Sequence, residues 1–259
     1  MQYKKKNLFF MLMVLCFVVY VKNGNALKLS ADDAQKKIET IFFVSTYSAR
    51  ETYNILLADI IYFSSYKNLP GHPAFKELEA YPEIIASIDQ DALYVTFLSE
   101  VYQPLPTSFI EGKIKKHAST LLTAYQRCEV LNKNWGFVIF PCYTIYPLFY
   151  GAGGGYRPDT GGIELNVNEK GLRKKTCKTI IHEMVHIGIE DGIVQRFQLS
   201  HWEKEGLVDT ICSLYFHDLL PNYHMQSPGD KNIQKYLTYE ALVADLPGAI
   251  MDYVAHYPR

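Results

Sequence analysis

The sequence predicts an α+β protein, because segments with helical periodicity lie on both sides of a stretch rich in strand-forming residues. Apolar residues recur at helical spacing through most of residues 30–132. Residues 135–148 are instead rich in β-branched and aromatic side chains, and residues 163–167 alternate between apolar and polar side chains. Helical patterns return after residue 171. We therefore expect a small mixed or antiparallel sheet that packs with a pair of later helices, plus a helical N-terminal part.

The chain length of 259 residues fits one large domain or two small ones, with enough chain to bury a core. The change of character near residue 132 divides the sequence into a helical N-terminal region, residues 27–132, and a core, residues 133–259. Residues 27–259 are also compatible with one domain. The net charge of −1 gives no basic excess, which argues against nucleic acid as a partner.

The first 26 residues have the pattern of a secretory signal peptide. Lysines at positions 4–6 precede an apolar run at residues 8–21, and small residues lead to a cleavage position after Ala26. The run is shorter than the ~20 residues of a membrane-spanning helix, so no stable span is expected after cleavage. An uncleaved membrane anchor is the alternative. The leader carries four lysines and no acidic residue, so the exported chain, periplasmic or secreted, has a net charge of −5 instead of −1.

Four cysteines follow the leader, an even number that permits two disulfides in an exported protein. The alternative is that they are small buried hydrophobic residues. No CxxC pair occurs, so a thiolate zinc site is not indicated. The four residues are Cys128, Cys142, Cys177 and Cys212.

In the N-terminal region, Ser30 is expected to cap the first helix, because two acidic residues follow it in the first turn. Breaks are expected at residues 69–73 and 103–106, which each contain two prolines. A further helix is expected between residues 109 and 131.

The strand-forming residues 135–148 predict one or two strands interrupted by Pro141. The glycine-rich residues 151–155 form a loop, and their spacing does not match a phosphate-binding loop. A turn at residues 158–162 then leads to a half-buried strand at residues 163–167.

Two helices are expected after the sheet. The first covers about residues 172–190, with Gly192 as its stop. The second covers residues 200–217 and starts with a capping box, in which Ser200 and Glu203 bind each other's free backbone N–H groups. A last helical stretch at residues 233–254 closes the chain, with a kink expected at its proline, residue 247.

The segment His182-Glu183-Met184-Val185-His186 is an HExxH motif. On a helix, residues four apart share one face, so both imidazoles can bind one ion. Glu183 follows the first ligand and can act on a metal-bound water. Apolar residues flank the motif, as expected for a helix buried beside a metal.

A two-histidine zinc site needs a third protein ligand and an open position for water. Glu205 is the best candidate among the later acidic residues, because it shares a helical face with Asp209, and a carboxylate behind a ligating imidazole fixes the orientation of that imidazole. Glu190 lies one turn beyond His186 on the same helix, where it cannot readily complete a tetrahedron. Glu203 is engaged in the capping box.

HExxH followed by eighteen residues and a glutamate, with an acidic residue four positions later, resembles the gluzincin metallopeptidases, the clan of thermolysin and the zinc aminopeptidases. The resemblance covers about residues 160–217. It implies a zincin-like fold, with zinc bound by His182, His186 and Glu205, and with Asp209 orienting a ligand histidine. It also implies an edge strand that binds the substrate backbone. The residues of that strand would be Gly162, Ile163, Glu164, Leu165 and Asn166.

The resemblance implies an exported, zinc-dependent peptidase that cleaves a peptide or protein substrate, with Glu183 as the general base. Endopeptidase, aminopeptidase and carboxypeptidase activities all stay open. Gluzincins also use a tyrosine or histidine to stabilise the oxyanion. The candidates by residue type are Tyr215, His217, Tyr223 and His224. The alternative function is a non-catalytic module that binds peptides or proteins on the same scaffold.

Overall fold

The computed structural model describes residues 30–62, 73–104, 107–149, 153–167, 176–225 and 229–257. The predicted signal peptide, residues 1–26, lies outside the described residues. Within them the protein is mixed α and β, with one four-stranded sheet, and the predicted general fold class is confirmed. Among these residues no helix has both the length and the hydrophobicity of a membrane span.

The N-terminal helices begin with α1 (Ala31–Ile41), and the Ser30 hydroxyl accepts a hydrogen bond from the Asp33 N–H at 3.1 Å, which confirms the predicted cap. The predicted helix between residues 109 and 131 is two helices that meet at His117. The elements that follow α1 are β1 (Phe42–Val44), α2 (Ala49–Tyr62), α3 (Pro73–Ala80), a 3-10 helix (Pro82–Ser87), α4 (Gln90–Thr96) with a π-helical turn (Phe97–Val101), α5 (Thr107–Lys116) and α6 (Ala118–Trp135).

The sheet has the order β1-β2-β4-β3. Its remaining strands are β2 (Tyr143–Leu148), β3 (Gly154–Arg157) and β4 (Gly162–Asn166). β1, β2 and β4 run parallel, and β3 is antiparallel to β4, so the sheet is mixed. Of the predicted strand residues 135–148, only those after Pro141 form a strand. β1 was not predicted, because three residues that directly follow a helix show no strand periodicity.

The predicted position of the edge strand is wrong. Gly162–Asn166 forms β4 as expected, but β4 lies between β2 and β3, so both of its edges are paired. The sheet has two edge strands, β1 and β3. β3 lies on the side of β4 that β2 leaves free, and a tight turn with Gly161 at φ +69° connects β3 to β4. Glycine is disfavoured in strands, and therefore the glycine-rich start of β3 reads as a loop.

The C-terminal half contains the two predicted helices after the sheet. Gly192 does not stop the first helix, because the chain continues there through a π-helical turn. Residues 172–175 lie outside the described residues. The capping box is confirmed, with the Ser200 N–H donating to Glu203 Oε2 at 2.7 Å. The elements are α7 (Thr176–Ile189), the π-helical turn (Glu190–Gln195) and α8 (His201–Leu214).

The predicted last helix is three pieces: a 3-10 helix (Ile233–Tyr236), α9 (Tyr239–Ala244) and α10 (Leu246–His256). The chain breaks at Asp245, whose carboxylate accepts a hydrogen bond from the Gly248 N–H at 3.0 Å. Pro247 therefore lies in the first turn of α10, where its missing N–H costs no hydrogen bond, and it does not produce the predicted kink.

Two apolar clusters form the interior. The main core extends from Ala34 on α1 to Tyr253 on α10, so it crosses the expected boundary at residue 132. A smaller cluster lies within residues 53–101, between α2, α3, the first 3-10 helix and α4. Within the main core, every residue of α7 from Ile180 to Ile189 is buried, and α7 contacts β3, β4, α6 and α8. The HExxH segment therefore lies at the centre of the larger core.

All four cysteines after the leader are free thiols, so neither of the two permitted disulfides is formed. Cys128 and Cys212 are fully buried, as the alternative interpretation expects. Burial raises the pKa of the Cys177 thiol to about 12.

Candidate metal centre

The structure brings the three predicted metal ligands together. His182 and His186 lie one turn apart on α7, and Glu205 lies in the second turn of α8, which packs against α7. All three residues are buried, with 8%, 2% and 8% of their surface exposed. Burial of two imidazoles and a carboxylate in one place is unfavourable unless the groups bind each other or an ion.

The ligand atoms of these residues converge on one point. Nε2 of His186 lies 3.1 Å from Nε2 of His182, and Glu205 Oε2 lies 3.5 Å and 3.9 Å from the two nitrogens. Tetrahedral zinc, with bonds of about 2.0–2.1 Å, places its ligand atoms about 3.3 Å apart. The three residues therefore form a group that could hold a metal ion.

A hydrogen-bond chain fixes the tautomer of His182. The Tyr223 hydroxyl lies 2.7 Å from His182 Nδ1 and donates to Asp209 Oδ1 at 2.5 Å. Because the Tyr223 proton points at the carboxylate, the hydroxyl oxygen accepts from an N–H at Nδ1. The lone pair of His182 is then on Nε2, the atom that faces His186 and Glu205.

Asp209 thus contacts His182 through Tyr223, and no sequence pattern predicts Tyr223 between them. The Lys178 ammonium lies 4.2 Å from the centre of the Tyr223 ring and helps to hold the ring in place. Burial is the largest cause of a raised pKa at Tyr223, and the hydrogen bond to Asp209 raises that pKa further. The hydroxyl therefore keeps its proton.

The four oxyanion candidates lie in different surroundings. Tyr223 is engaged on the side of His182 away from the ligand atoms. The Tyr215 hydroxyl donates to the Arg127 carbonyl at 3.2 Å, and the exposed His217 ring contacts the Leu214 carbonyl. His224 is exposed. These contacts of Tyr215 and His217 are therefore to backbone carbonyls outside the group of His182, His186 and Glu205.

Glu183 lies between α7 and the edge strand. Its side chain is buried, and its Oε1 lies so near Gly154 of β3 that a Cβ on Gly154 would be only 2.3 Å away. Burial raises the pKa of Glu183 to about 8, and the charge of Glu205 adds to the effect. Burial would also raise the pKa of Glu205, but hydrogen bonding and charge from His186 leave it lowered.

The residues of β4 take different places from those expected of a substrate strand. Ile163 and Leu165 are buried in the main core. Glu164 lies on the other face of the sheet, where it accepts hydrogen bonds from the Tyr47 hydroxyl at 2.8 Å and from Arg157 at 3.2 Å. The backbone of Gly162–Asn166 is paired on both sides, so its N–H and C=O groups are not available to a further strand.

Tyr156 is part of the site and was missed in the sequence. It lies on β3, and its ring stacks on His186 with the two centres 4.7 Å apart. The only signal for it was its position just after the glycine-rich segment, in a chain that has 20 tyrosines. Stacking of this kind depends on how β3 and α7 pack together, which no local pattern encodes.

The metal-free wild type should lose stability relative to Glu183→Gln as the pH rises from 5 to 8. The folded pKa of Glu183 is about 8, above the ordinary glutamate value of 4.5, so the stability linked to its proton is full below pH 4.5 and is lost toward pH 8. The loss due to Glu183 over this range is on the order of 3–4 kcal/mol, and it appears as the difference between the two proteins. Urea unfolding of the metal-free wild type and Glu183→Gln at both pH values measures it.

Glu183→Gln has no proton to lose at this position and should show a much flatter dependence. Burial lowers the pKa of His182 to about 3, which makes both proteins more stable as the pH rises to 6.5. That contribution is common to both proteins and cancels in their difference. Equal pH slopes for the wild type and the variant would contradict a buried, protonated Glu183.

Comparisons with protein-family models, with curated proteins and with solved structures find no match to this chain. The described residues define a mixed α and β protein with a buried group of two histidines and a glutamate that could hold a metal ion. Function is therefore inferred from the chemistry of this group and its surroundings.

Proposed function

We propose that this chain is an exported zinc-dependent peptidase of the gluzincin type, which hydrolyses peptide bonds in a peptide or protein substrate. The observation that carries the proposal is the convergence of His182, His186 and Glu205, with Glu183 buried next to them beside an edge strand. A metal group, a carboxyl and a strand edge in one place are the parts that a metallopeptidase needs.

Zinc is the proposed ion, because two imidazoles and one carboxylate with an open fourth position suit it best. The orientation of His182 by Tyr223 and Asp209 supports this, since ligand histidines normally donate their other N–H to an oriented partner. When bound, zinc lowers the pKa of a bound water and polarises the carbonyl of the scissile bond.

Glu183 is the proposed general base and, after that, the acid. Without an ion, burial keeps its carboxyl protonated near neutral pH. A divalent charge at the neighbouring ligands favours the ionised form, so Glu183 becomes a carboxylate when the site is loaded. It then takes the proton of the attacking water and holds it until the leaving amine accepts it.

The proposed substrate-binding strand is β3. Its far edge is not paired by any described strand, and Gly154 brings its backbone directly against Glu183. A substrate segment that adds to this edge would run past the carboxyl of the general base. This role replaces the one expected of β4, whose edges are both paired.

The signal-peptide pattern of residues 1–26 is the basis for proposing export. The enzyme would then bind its substrate outside the cytoplasm. The net charge of −5 after cleavage of the leader offers no attraction to nucleic acid. The retained carboxyl of Glu183 favours an enzyme over a purely binding module, because binding alone has no use for a buried acid beside the metal group.

The test is metal analysis of the purified mature chain, followed by a peptide-library digest read by mass spectrometry. We expect about one zinc per chain, cleavage of library peptides, loss of cleavage in a chelator and recovery when zinc is returned. A chain that binds zinc but cleaves no peptide would instead support the binding module. A chain that binds no zinc would contradict the metal site itself.

Replacing Gly154 with Ala should reduce peptide cleavage by about 10–100-fold, because a misplacement of about 1 Å at a catalytic group has effects of this size. The added methyl group would lie 2.3 Å from Glu183 Oε1 and 2.6 Å from Thr179 Cγ2, so the glutamate must move. Initial cleavage rates and zinc content of the variant measure the effect.

Gly153→Ala is the matched control, because a Cβ at Gly153 has no atom within 4 Å. It should keep the rate of the wild type, and both variants should keep their zinc. Equal rates for Gly154→Ala and Gly153→Ala would contradict the placement of Glu183 against β3.

A further inference from the structure

The two histidines of the metal group are held in different ways. His182 has the Tyr223 hydroxyl at its second nitrogen. The second nitrogen of His186, Nδ1, is buried and has no hydrogen-bond partner among the described residues. A ligand histidine is normally oriented by a hydrogen bond at this position, so His186 needs another restraint.

That restraint is the ring of Tyr156. The Tyr156 and His186 rings are almost parallel, at 6°, and their centres are 4.7 Å apart. A flat ring in contact with the imidazole resists tilting of the imidazole plane, because tilting would separate or overlap the two rings. It therefore limits the directions in which His186 Nε2 can point.

The Tyr156 ring is itself anchored at its far end. Its hydroxyl donates to Glu190 Oε2 at 2.6 Å and accepts from the Lys204 ammonium at 2.9 Å. Glu190 is buried, and its other oxygen accepts from the Gln195 amide at 2.6 Å. Bonds that involve a charged group are the stronger kind, and here they fix the tyrosine from two sides.

The π-helical turn Glu190–Gln195 explains how Glu190 reaches this position. The turn directly follows α7, and it contains both Glu190 and the Gln195 that binds its carboxylate. π-helical turns are rare and often occur at functional sites. Lys204 precedes Glu205 on α8, so Tyr156 joins the edge strand to both helices that carry metal ligands.

We propose that Tyr156 is a positioning residue for the metal site, which orients His186 by ring stacking in place of a hydrogen bond at Nδ1. The proposal rests on the metal site of the proposed function. Its basis is the unpartnered Nδ1, the parallel rings and the anchored hydroxyl, three separate observations about the same pair of residues.

The experiment measures zinc affinity by competition with a chromophoric chelator, and ligand geometry by the visible spectrum of the cobalt-substituted protein. Tyr156→Leu removes the flat ring and should weaken zinc binding by about 10–100-fold and change the cobalt spectrum. Tyr156→Phe keeps the ring and should restore most of the affinity. Glu190→Gln loosens the anchor only and should give a smaller loss, about threefold.

Tyr146→Leu is the matched control. Tyr146 is also a half-buried strand tyrosine in a parallel stack, with its ring 4.1 Å from that of Tyr47, but it lies on the other face of the sheet. The Tyr146→Leu variant should bind zinc with the wild-type affinity and give the wild-type cobalt spectrum. A zinc affinity that falls equally in Tyr146→Leu and Tyr156→Leu would show a general loss of packing and overturn the proposal.

Unchanged zinc affinity and cobalt spectrum in Tyr156→Leu would overturn the proposal while leaving the metal site intact. If Tyr156→Leu does not fold, the zinc affinity of Glu190→Gln tests the proposal, because this variant keeps the tyrosine ring in the core. A wild-type zinc affinity in Glu190→Gln would overturn the proposal. Absence of zinc from the wild type would overturn the proposed function and this proposal together.

Discussion

Replacing Glu183 with Gln is expected to lower the rate of peptide cleavage by about 10²–10⁴-fold, the range that general acid–base catalysis contributes. Gln has the shape of Glu but cannot accept a proton from water or deliver one to an amine. A neutral amide suits the buried position, since burial raises the pKa of the wild-type carboxyl to about 8 without an ion. Single-turnover rates on a cleaved library peptide measure the loss.

Zinc content separates a catalytic effect from a structural one. Glu183 is not among the residues whose ligand atoms converge, so Glu183→Gln should keep about one zinc per chain. Glu164→Gln is the control for loss of a nearby carboxylate, because Glu164 lies on the opposite face of the sheet, bound to Tyr47 and Arg157. A Glu183→Gln protein that cleaves at the wild-type rate would end the proposed mechanism.

Replacing Glu205 with Ala should weaken zinc binding by more than the 10–100-fold that is typical of residues behind the ligands, to the point that little zinc survives purification. Glu205 supplies the only carboxylate of the group, at 3.5 Å from His186 Nε2. The thermal midpoint should also respond. Added zinc should raise it for the wild type and leave it almost unchanged for the variant, because only bound ligand stabilises the folded state.

His201→Ala is the matched control for Glu205→Ala. His201 Nδ1 lies 4.0 Å from Glu205 Oε1, the oxygen other than the one that faces the two ligand histidines, and its side chain is half exposed. His201→Ala should therefore keep its zinc. Retention of zinc by Glu205→Ala, or its loss from His201→Ala, would show that the third ligand has been assigned wrongly.

Much of the local structure follows from patterns that act over a few residues. Ser30 and the Ser200–Glu203 pair cap helices as expected, because a cap depends only on neighbouring backbone N–H groups. The break at Asp245 follows the same rule, although Pro247 was the more visible signal. The π-helical turn after α7 carries no comparable signal, since it depends on the contacts that Glu190 makes with another element.

Local patterns can predict a strand, but they do not predict which strands pair with it. β4 was expected from its alternation, and it is present at Gly162–Asn166. Its neighbours were not predictable, because pairing depends on how the turn before it directs the chain. β3 begins with two glycines, and glycine gives no strand signal, yet it occupies the edge next to Glu183.

The sequence by itself determined the chemistry of the candidate site: the HExxH spacing sets His182 and His186 on one helical face, and the helix that Ser200 caps carries Glu205. Only the tertiary structure decided how those groups are supported. Tyr223 reaches His182, and Tyr156 reaches His186, from segments 41 and 30 positions away along the chain. Contacts across such separations arise from packing of the core, whereas ligand spacing on a helix is set by its own repeat.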